Sequence, residues 1–511
     1  MNLSDTIIAL ATPPGVGAIG VIRLSGEDAI VLADRFFHGK PLNEQPSHTI
    51  HFGTIRDETG RIVDEVLVSL FIAPRSYTGE NVVEISCHGS NYILEEVIRL
   101  FLRAGARQAQ PGEFTLRAFL NGRMDLSQAE AVADLIASAS SEAHKLAIAQ
   151  LRGGVSDEIK RLRQELLDFA SLIELELDFS EEDVEFADRT QLHHLIDRIQ
   201  TLIKALLDSF QLGNAIRQGV STVIAGRPNA GKSTLLNALL NEERAIVSEI
   251  AGTTRDTIEE LLNIQGIQFR IIDTAGIREA QDTIEALGVE RTLEKVRQSA
   301  VLVYVFDVVK TSPEQVRYDL AQLIHSDLKV LVVANKMDLN PYTQFEHYFE
   351  GAGEQGLGSR AQEAGSRERG AGESGVKELS PAGGGRGWTS NEPPLERLNV
   401  EPLNLEPSQW VPISAINRMN IEYLKEKLFE TVIQEELSMD TAILSNTRHY
   451  EALQKAGESL QAVKQNLQTG VATDFIAMDI RRALHFLGEI TGEISTDDLL
   501  GNIFSRFCIG K

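Results

Sequence analysis

Cysteine is nearly absent from this chain of 511 residues, which contains only Cys87 and Cys508. Two cysteines cannot form the disulfide framework that supports many secreted proteins, so a reducing compartment is indicated. No stretch approaches 18 apolar residues without a charge, and no basic segment precedes the first short apolar run. We therefore expect neither a membrane span nor a secretory signal, and we predict a cytoplasmic protein.

Basic residues are also scarce, since Lys and Arg number 49 against 74 Asp and Glu, for a formal net charge of −25. Such a chain is a poor general ligand for phosphate backbones, so any RNA contact requires a local basic patch or a partner protein. Ion pairs on the helix surfaces are the favoured alternative for the basic residues that could form such a patch. These residues are Arg152, Lys160, Arg161, Arg163, Arg481 and Arg482.

The length predicts about three domains, at roughly 150 residues per domain. Short apolar runs between turn signals predict an α+β domain over residues 1–120. Apolar residues recurring at spacings of three and four predict helices over 121–215 and again over 437–511. Between them, residues 216–436 alternate short buried strands with helices, which is typical of a doubly wound parallel sheet. The expected fold class is multidomain α/β plus α, with the α/β unit inserted into a discontinuous all-α domain.

One segment of the α/β unit differs in composition. Residues 351–390 hold 12 of the 40 glycines and few apolar residues. We predict a flexible surface insertion over 345–408, without required chemistry. A domain can tolerate it because each doubling of loop length costs only about 0.6 kcal/mol.

A glycine-rich motif, Gly226-Arg-Pro-Asn-Ala-Gly-Lys-Ser233, follows one predicted strand and opens a helix. In this context it predicts a phosphate-binding loop, because glycines let backbone N–H groups approach phosphates and the helix N-terminus favours negative charge. Lys232 is expected to supply positive charge to the β and γ phosphates during catalysis. The Ser233 hydroxyl is expected to ligate Mg²⁺.

Three further motifs at strand ends indicate that the bound nucleotide carries guanine. Asp273-Thr-Ala-Gly276 is placed to hold Mg²⁺ through water and to sense the γ phosphate. In Asn335-Lys-Met-Asp338, the aspartate can accept hydrogen bonds from guanine N1–H and the 2-amino group, a donor pair that adenine lacks. Ser414 and Ala415 are expected to support the base through main-chain N–H groups.

Three other residues bear on the mechanism. Thr254, between the phosphate loop and Asp273, is expected on Mg²⁺ as part of a switch segment. Ile277 stands where Ras-type proteins have the glutamine that orients water, so another residue must position the water. Asn229 could ligate a monovalent cation beside the phosphates, or it could only shape the loop.

Four other motifs lie outside the α/β unit. They are Ala11-Thr-Pro-Pro-Gly15, Pro111-Gly-Glu-Phe-Thr115, Arg117-Ala-Phe-Leu-Asn121 and the terminal Phe507-Cys-Ile-Gly-Lys511. Together with the residues above, these motifs closely resemble the MnmE (TrmE) family of tRNA modification GTPases, over nearly the whole chain except 345–408. The resemblance implies a folate-binding N-terminal domain, a discontinuous helical domain and an inserted P-loop GTPase domain of the Ras-like type.

The resemblance also implies an activity and partners. The protein would be a K⁺-dependent GTPase, a homodimer through its N-terminal domain, and a heterotetramer with the FAD-dependent partner MnmG (GidA). The two proteins would add an aminomethyl-type group at carbon 5 of the tRNA wobble uridine, using 5-formyl- or methylene-tetrahydrofolate. The alternative is a regulatory GTP switch, for example in ribosome assembly, without folate chemistry.

Residue roles follow from the matching positions. The resemblance implies that Glu285 positions the attacking water, and that Asn229, Ser248, the backbone of Ile250 and Thr253 hold K⁺. The expected nucleotide-binding residues are Asn229, Ala230, Gly231, Lys232, Ser233, Thr234, Ser248, Glu249, Ile250, Ala251, Gly252, Thr253, Thr254, Asp273, Thr274, Ala275, Gly276, Asn335, Lys336, Asp338, Ser414 and Ala415.

The resemblance places folate at Arg23, Glu84, Arg123 and Lys511. A carboxylate can pair with a 2-aminopyrimidine edge, and arginines can bind the oxygens of the ligand. Cys508, on the tail, is either a catalytic residue or an exposed thiol. Cys87 and His88 do not predict a nucleophile pair, because neighbours on a strand point to opposite faces.

Overall fold

The structure, a computed structural model, divides into two compact units. Unit 1 is Met1–Gly219 with Glu435–Lys511, and unit 2 is Val220–Gln434. Among the described residues, no helix has the length and apolar character needed to cross a membrane. The described residues are 5–178, 189–240, 259–273, 295–297, 299–325, 328–349, 405–433, 443–469, 471, 473–505, 507, 508 and 510.

Unit 1 contains a mixed sheet of seven described strands in the order β3-β4-β5-β6-β2-β1-β7. Neighbouring strands are antiparallel except β1 and β7, which are parallel. Burial alternates along β4 and β5, so one face is packed and the other is exposed. The strands are β1 (Ile7–Leu10), β2 (Ile19–Ser25), β3 (Phe37–His38), β4 (Thr49–Arg56), β5 (Ile62–Phe71), β6 (Val82–His88) and β7 (Arg107–Gln108).

Helices α1 (Ala29–Phe36) and α2 (Asn91–Arg103) bury their apolar residues in the core of this sheet. The rings of Phe36 and Phe101 meet edge to face at 5.4 Å between centroids, an arrangement that aromatic quadrupoles favour. These elements confirm the predicted α+β class for the beginning of the chain.

The rest of unit 1 is helical. Four long helices share one core because each presents an apolar stripe, as the three- and four-residue spacing predicts. Helix α4 begins with a capping box, in which Asp125 and Gln128 exchange side-chain and backbone hydrogen bonds. The helices are α3 (Glu113–Leu120), α4 (Leu126–Ala137), α5 (Ser141–Leu151), α6 (Gly154–Asp178), α7 (Arg189–Gln218), α12 (Thr447–Thr469), α13 (Thr473–Thr491) and α14 (Asp497–Phe504), and the long ones are α6, α7, α12 and α13.

Ion pairs that are shielded from most of the solvent connect α4 to two of these helices. Glu130 on α4 accepts two hydrogen bonds of 2.9 Å from the Arg448 guanidinium and lies 2.9 Å from His449 Nε2. Asp134, one turn further on, accepts a bond of 2.8 Å from Arg217 near the end of α7. Burial alone raises the pKa of Glu130, but His449 and Arg448 outweigh it and hold the pKa at about 2.

Unit 2 contains a sheet of six described strands in the order β13-β12-β11-β8-β10-β9. All neighbours are parallel except β9 and β10. Strand β11 is buried along its entire length, as expected when helices cover both faces. The strands are β8 (Val220–Ala225), β9 (Glu259–Ile264), β10 (Ile267–Asp273), β11 (Val301–Asp307), β12 (Lys329–Asn335) and β13 (Trp410–Pro412), and the helices are α8 (Lys232–Leu240), α9 (Pro313–Leu323), α10 (Glu346–Phe349) and α11 (Ile421–Val432).

This parallel sheet with its helices, together with the α+β and all-α parts of unit 1, confirms the predicted multidomain α/β plus α class. The predicted domain boundaries stay predictions, apart from one correction. The flexible insertion expected over 345–408 is too long at both ends. Phe345 and Tyr348 are buried beside Trp410, whose ring centroid lies 6.2 and 5.5 Å from theirs, and Leu405 packs on the same core. Glycine content did not reveal this, because the apolar anchors lie outside the glycine-rich stretch.

Candidate functional site

The predicted phosphate loop of unit 2 joins β8 to α8 and leaves no room for side chains at two glycines. A Cβ on Gly226 would collide with the carbonyl oxygen of Val305 on β11, and one on Gly231 would collide with the Asn335 amide. Both glycines also have positive φ angles, of 149° and 98°. The motif therefore requires glycine here for close approach as well as for its turn.

Lys232 begins α8 and turns back over this loop. Its Nζ donates to the carbonyl oxygens of Gly226, at 2.6 Å, and Arg227, at 3.0 Å. Ser233 and Thr234 follow in the first helical turn, and both are exposed. A cation and two hydroxyl-bearing residues thus lie at the N-terminal end of a helix, where an anion is stabilised.

Asn335, the last residue of β12, connects three loops. Its Nδ2 donates to Ala230 O of the phosphate loop at 2.8 Å. Its Oδ1 accepts the main-chain N–H groups of Lys336, at 2.8 Å, and Ala415, at 3.0 Å. Because Asn335 is 2% exposed, these bonds are shielded from water and hold the three motifs together.

Asp338 lies at the exposed side of the same cluster. The buried Ser414 hydroxyl donates to Asp338 Oδ1 at 2.6 Å and so orients the carboxylate. Ser414 is itself fixed by backbone hydrogen bonds with Met419 in both directions. The carboxylate that was predicted to read guanine is therefore oriented by the segment that was predicted to support the base.

One detail differs from the prediction for Ala415. Its N–H, expected to support the base, donates to Asn335 Oδ1 in the structure. A base bound here would have to share this donor with Asn335.

Lys336 links the base motif to the phosphate loop. Its Nζ donates to Asn229 O at 3.1 Å and to Asp307 Oδ2 at 2.6 Å. Lys336 and Asn229 both have left-handed backbones, with φ of 70° and 63°. Such a conformation is unfavourable for a lysine, so the surrounding contacts must hold it. Asp307 belongs to no motif, so sequence reasoning did not select it.

The phosphate loop has a second anchor that the sequence did not indicate. Arg227 donates to both carboxylate oxygens of Asp319 on α9, at 2.8 and 3.0 Å. The buried Tyr304 hydroxyl donates to the same carboxylate at 2.6 Å. Burial and the nearby Asp319 charge raise the pKa of Tyr304, so it remains a donor.

Many expected residues lie outside the described part of the chain. These are Ser248, Glu249, Ile250, Ala251, Gly252, Thr253, Thr254, Thr274, Ala275, Gly276, Ile277 and Glu285. Asp273 ends β10, and its backbone pairs in register with Ile224 of β8. The described residues thus supply the base-binding and phosphate-loop parts of the site, and the switch segments stay predictions.

In unit 1, Arg23 and Glu84 lie opposite each other on β2 and β6. Glu84 Oε1 accepts from Arg23 Nε at 2.8 Å and lies 2.8 Å from its NH2. Arg23 NH1 also donates to the main-chain oxygen of Gly510 at 3.3 Å, so the C-terminal tail reaches this pair. The Tyr77 and Phe114 rings lie 5.4 and 5.6 Å from the guanidinium, within cation–π range.

The remaining predicted folate residues have different surroundings. Arg123 is exposed, and its side chain adjoins Gly79, two residues from Tyr77. Lys511 lies outside the described residues. The structure thus brings Arg23, Glu84 and the tail backbone together, and the side chain of Arg123 adjoins the segment that contains Gly79 and Tyr77.

The two cysteines have contrasting environments. Cys508 is exposed, and its carbonyl accepts the Gly112 N–H at 3.4 Å. Cys87 is buried, and burial together with Asp64 raises its thiol pKa to about 12. His88 is exposed and pairs with Asp64 at 2.7 Å, which confirms that Cys87 and His88 form no nucleophile pair.

A buried charge cluster beside the Arg23 pair was not predicted. Arg117 is 1% exposed and faces Asp5 at 2.6 Å, Glu113 at 3.2 Å and Glu80 at 3.3 Å. Arg117 stands in a motif quoted for the resemblance, but nothing in the sequence indicated its burial. Because its charge is paired with carboxylates, we assign it a structural role.

Most of the basic residues that could have formed an RNA-binding patch take part in ion pairs. Lys160 pairs with Asp125, Arg161 with Glu158 and Glu165, Arg163 with Glu493, and Arg481 with Glu174. These contacts support the favoured alternative, in which the helix surfaces carry ion pairs. No group of three or more metal-binding side chains occurs among the described residues.

Comparisons with known proteins agree across the chain. Residues 126–508 match the family model described as the MnmE helical domain, and residues 6–123 match the GTP-binding protein TrmE N-terminus. The curated tRNA modification GTPase MnmE of Cytophaga hutchinsonii is 50% identical over 100% of this chain and 98% of its own length. Its counterpart from Flavobacterium psychrophilum is 49% identical over 100% of both chains, and that from Bacteroides thetaiotaomicron is 46% identical over 99% of both.

Proposed function

Because the chain belongs to the MnmE family of tRNA modification GTPases, and is therefore a GTP hydrolase, we propose that it hydrolyses GTP at the phosphate loop of unit 2. The observation that carries this assignment is the bonding of Asn335 to Ala230, Lys336 and Ala415. One buried side chain thereby fixes the phosphate loop against the base-binding motifs.

Guanine selectivity is assigned to Asp338. Ser414 holds one carboxylate oxygen, so the group has a defined direction, and a carboxylate can accept both N1–H and the 2-amino group. Adenine offers no such pair of donors, and a site built to receive them rejects it because the carboxylate would lose its partners.

The described residues fit a magnesium–nucleotide ligand. Ser233 is exposed in the first turn of α8, beside Lys232, and a hydroxyl oxygen is a suitable Mg²⁺ ligand. We assign Mg²⁺ to Ser233 and Thr254, with Asp273 acting through water. Bound Mg²⁺ would supply positive charge to the phosphate oxygens.

K⁺ is assigned to Asn229, Ser248, Ile250 and Thr253. Only Asn229 is described, and its exposed, left-handed position in the phosphate loop suits an oxygen ligand beside the phosphates. Lys232 would stabilise charge that develops on the transferred group, and Glu285 would position the attacking water. The nucleotide would replace the carbonyl oxygens that now accept from Lys232.

A tetrahydrofolate site is assigned to Arg23, Glu84, Arg123 and Lys511 in unit 1. The partly exposed Glu84 carboxylate suits a 2-aminopyrimidine edge, and the partly exposed Tyr77 ring near Arg23 offers a surface for a flat heterocycle. The tail backbone beside Arg23 supports the placement of Cys508 near bound folate. Its role as a catalytic residue rests on that proximity alone.

A homodimer is supported by an apolar patch on the exposed face of the unit 1 sheet. Ile50, Phe52 and Leu67 are 66%, 68% and 47% exposed, and the last two are direct cross-strand partners. Contiguous exposed apolar side chains of this kind mark interfaces. We assign a second copy to this patch, MnmG as the further partner, and the tRNA wobble uridine as the substrate.

The decisive experiment compares GTP hydrolysis by the full chain in KCl and in NaCl at equal ionic strength. Stimulation by K⁺ that is lost in Asn229→Ala supports the cation site, with Glu430→Gln as a surface control. Equal rates in both salts would remove K⁺ from the mechanism. Binding of 5-formyl-tetrahydrofolate, lost in Arg23→Ala, separates the modification enzyme from a GTP switch without folate chemistry.

A further inference from the structure

Asp307, the last residue of β11, is a charged side chain that the mechanism above does not use. It is 4% exposed, and its neighbour in register on β12 is Asn335. A carboxylate buried to this extent requires partners. Asp307 Oδ1 accepts the Val309 N–H at 2.9 Å, and Oδ2 accepts from Lys336 Nζ at 2.6 Å. Burial by itself raises the pKa of Asp307, but Lys336 and the Val309 N–H lower it below its usual value, so the group is ionised.

The ion pair with Lys336 connects the end of β11 to two loops of the nucleotide site. Lys336 belongs to the base motif, directly after the end of β12 and two residues before Asp338. Its Nζ also donates to Asn229 O in the phosphate loop. The lysine side chain therefore spans the two loops that bind opposite ends of the nucleotide, and Asp307 fixes the end of that span.

Lys336 needs such an anchor for two reasons. A long flexible side chain loses entropy when its ammonium group is held in one place. Its backbone is left-handed, which a residue with a Cβ rarely adopts. A charge-assisted hydrogen bond to a buried carboxylate is stronger than one to a carbonyl, so Asp307 is the partner able to hold this arrangement.

We propose that Asp307 is a positioning residue for the GTPase site, which through Lys336 sets the spacing of the base and phosphate loops and the position of Asn229. Guanine nucleotide affinity and activation by K⁺ are thereby coupled through one ion pair. The K⁺ half of this inference rests on the proposed function. The nucleotide half depends only on the GTPase identity of the chain.

Asp307→Asn tests the proposal in the full-length protein. The amide oxygen can still accept the Val309 N–H, so a purely local turn role predicts no change. Loss of the charged partner of Lys336 is expected to weaken GDP binding about tenfold in NaCl with Mg²⁺, measured by calorimetry. It should also raise the K⁺ concentration for half-maximal hydrolysis several-fold, while the rate at saturating GTP and K⁺ changes by less than about twofold. Glu430→Gln, which removes a carboxylate from the exposed pair with Lys427, is the matched control.

A double-mutant cycle with Lys336→Met shows whether the effect passes through the lysine. Asp307→Asn should have little further effect on GDP binding in the Lys336→Met background, because the two residues act as one unit. Full additivity, or unchanged GDP affinity in Asp307→Asn, would overturn the proposal. Weakened GDP binding with an unchanged K⁺ requirement would overturn the link to Asn229. If K⁺ does not stimulate GTP hydrolysis by the wild-type enzyme, the cation mechanism is refuted, and the link from Asp307 to Asn229 is refuted with it. The GDP measurements would still decide the role of Asp307.

Discussion

The two units hold their cations in different surroundings. In unit 1, Arg117 is 1% exposed and faces three carboxylates, and it also donates to the main-chain oxygen of Asp5. In unit 2, Lys232 is partly exposed and donates to two main-chain carbonyl oxygens of the phosphate loop. A guanidinium buried among carboxylates is not accessible to a ligand, whereas a partly exposed ammonium at the start of a helix is. Solvent access therefore distinguishes the structural cation from the cation of a binding site.

Arg23 stands between these cases, since its side chain is 14% exposed while it pairs with Glu84 and donates to the Gly510 carbonyl. Lys336 is 29% exposed and is held in the same way by Asp307 and Asn229. Both residues lie in sites assigned to ligands, one in each unit. Partial exposure suits a residue that must be held in place and still remain available to another molecule.

The largest expected effect is on stability, from Arg117→Met. Removing the guanidinium leaves Glu80 without its arginine partner and leaves Asp5 and Glu113 with Arg107 alone, so unfolding of unit 1 should become easier by about 3–5 kcal/mol. Chemical denaturation followed by circular dichroism measures this loss. Arg99→Met removes an exposed cation from the same unit and should change stability by less than about 1 kcal/mol. A small loss at Arg117 would break the distinction between structural and binding cations.

Asp338→Asn should change base selectivity while leaving stability nearly intact. The amide cannot accept from both guanine donors, so GDP affinity should fall about 100-fold or more. Xanthine has a carbonyl oxygen at carbon 2, to which the new amide can donate, so XDP should bind better than GDP. Competition binding with the two nucleotides measures the reversal. Preserved preference for GDP would show that Asp338 does not read the base, and unchanged folate binding is the control for unit 1.

Short motifs indicated the described part of the unit 2 site from the residues themselves, whereas the unit 1 site followed only from the resemblance, and the difference has a physical reason. The phosphate loop and Asn335–Asp338 are each formed by residues adjacent in sequence, so a short motif is enough to predict their geometry. The contact of Arg23 with Gly510 joins residues 487 positions apart, and only the family resemblance indicated that site. Asp307 and Arg117 were missed because a single charged residue at a strand end or in a helix has no local signature.

Lowering the pH should remove the contribution of Glu130 and its partners to stability, an effect somewhat smaller than that of Arg117→Met. Its pKa in the folded protein, about 2, is below the usual value of a glutamate, so the contribution to stability is complete above about pH 4.5 and is lost as the pH falls toward 2. The shift corresponds to about 3 kcal/mol. Glu130→Gln should be less stable at neutral pH and should lose less stability across this acid range. If the free energy of unfolding of the two proteins falls in parallel with pH, the low pKa assigned to Glu130 is contradicted.

The smallest expected effect is that of Ser414→Ala, which tests how finely the unit 2 site is organised. The substitution removes the 2.6 Å hydrogen bond that orients Asp338 but leaves its charge and its reach to the base. A lost hydrogen bond to a charged group is worth about 1.5–3 kcal/mol at most, and water can replace part of it at this exposed carboxylate, so GDP affinity should fall about fivefold to tenfold. Preference for GDP over XDP should persist, in contrast with Asp338→Asn. Calorimetry with both nucleotides distinguishes the two variants. A loss as large as that of Asp338→Asn would mean that orientation, rather than the carboxylate itself, determines base selection, and that the unit 2 site depends on buried partners as much as the structural clusters of unit 1 do.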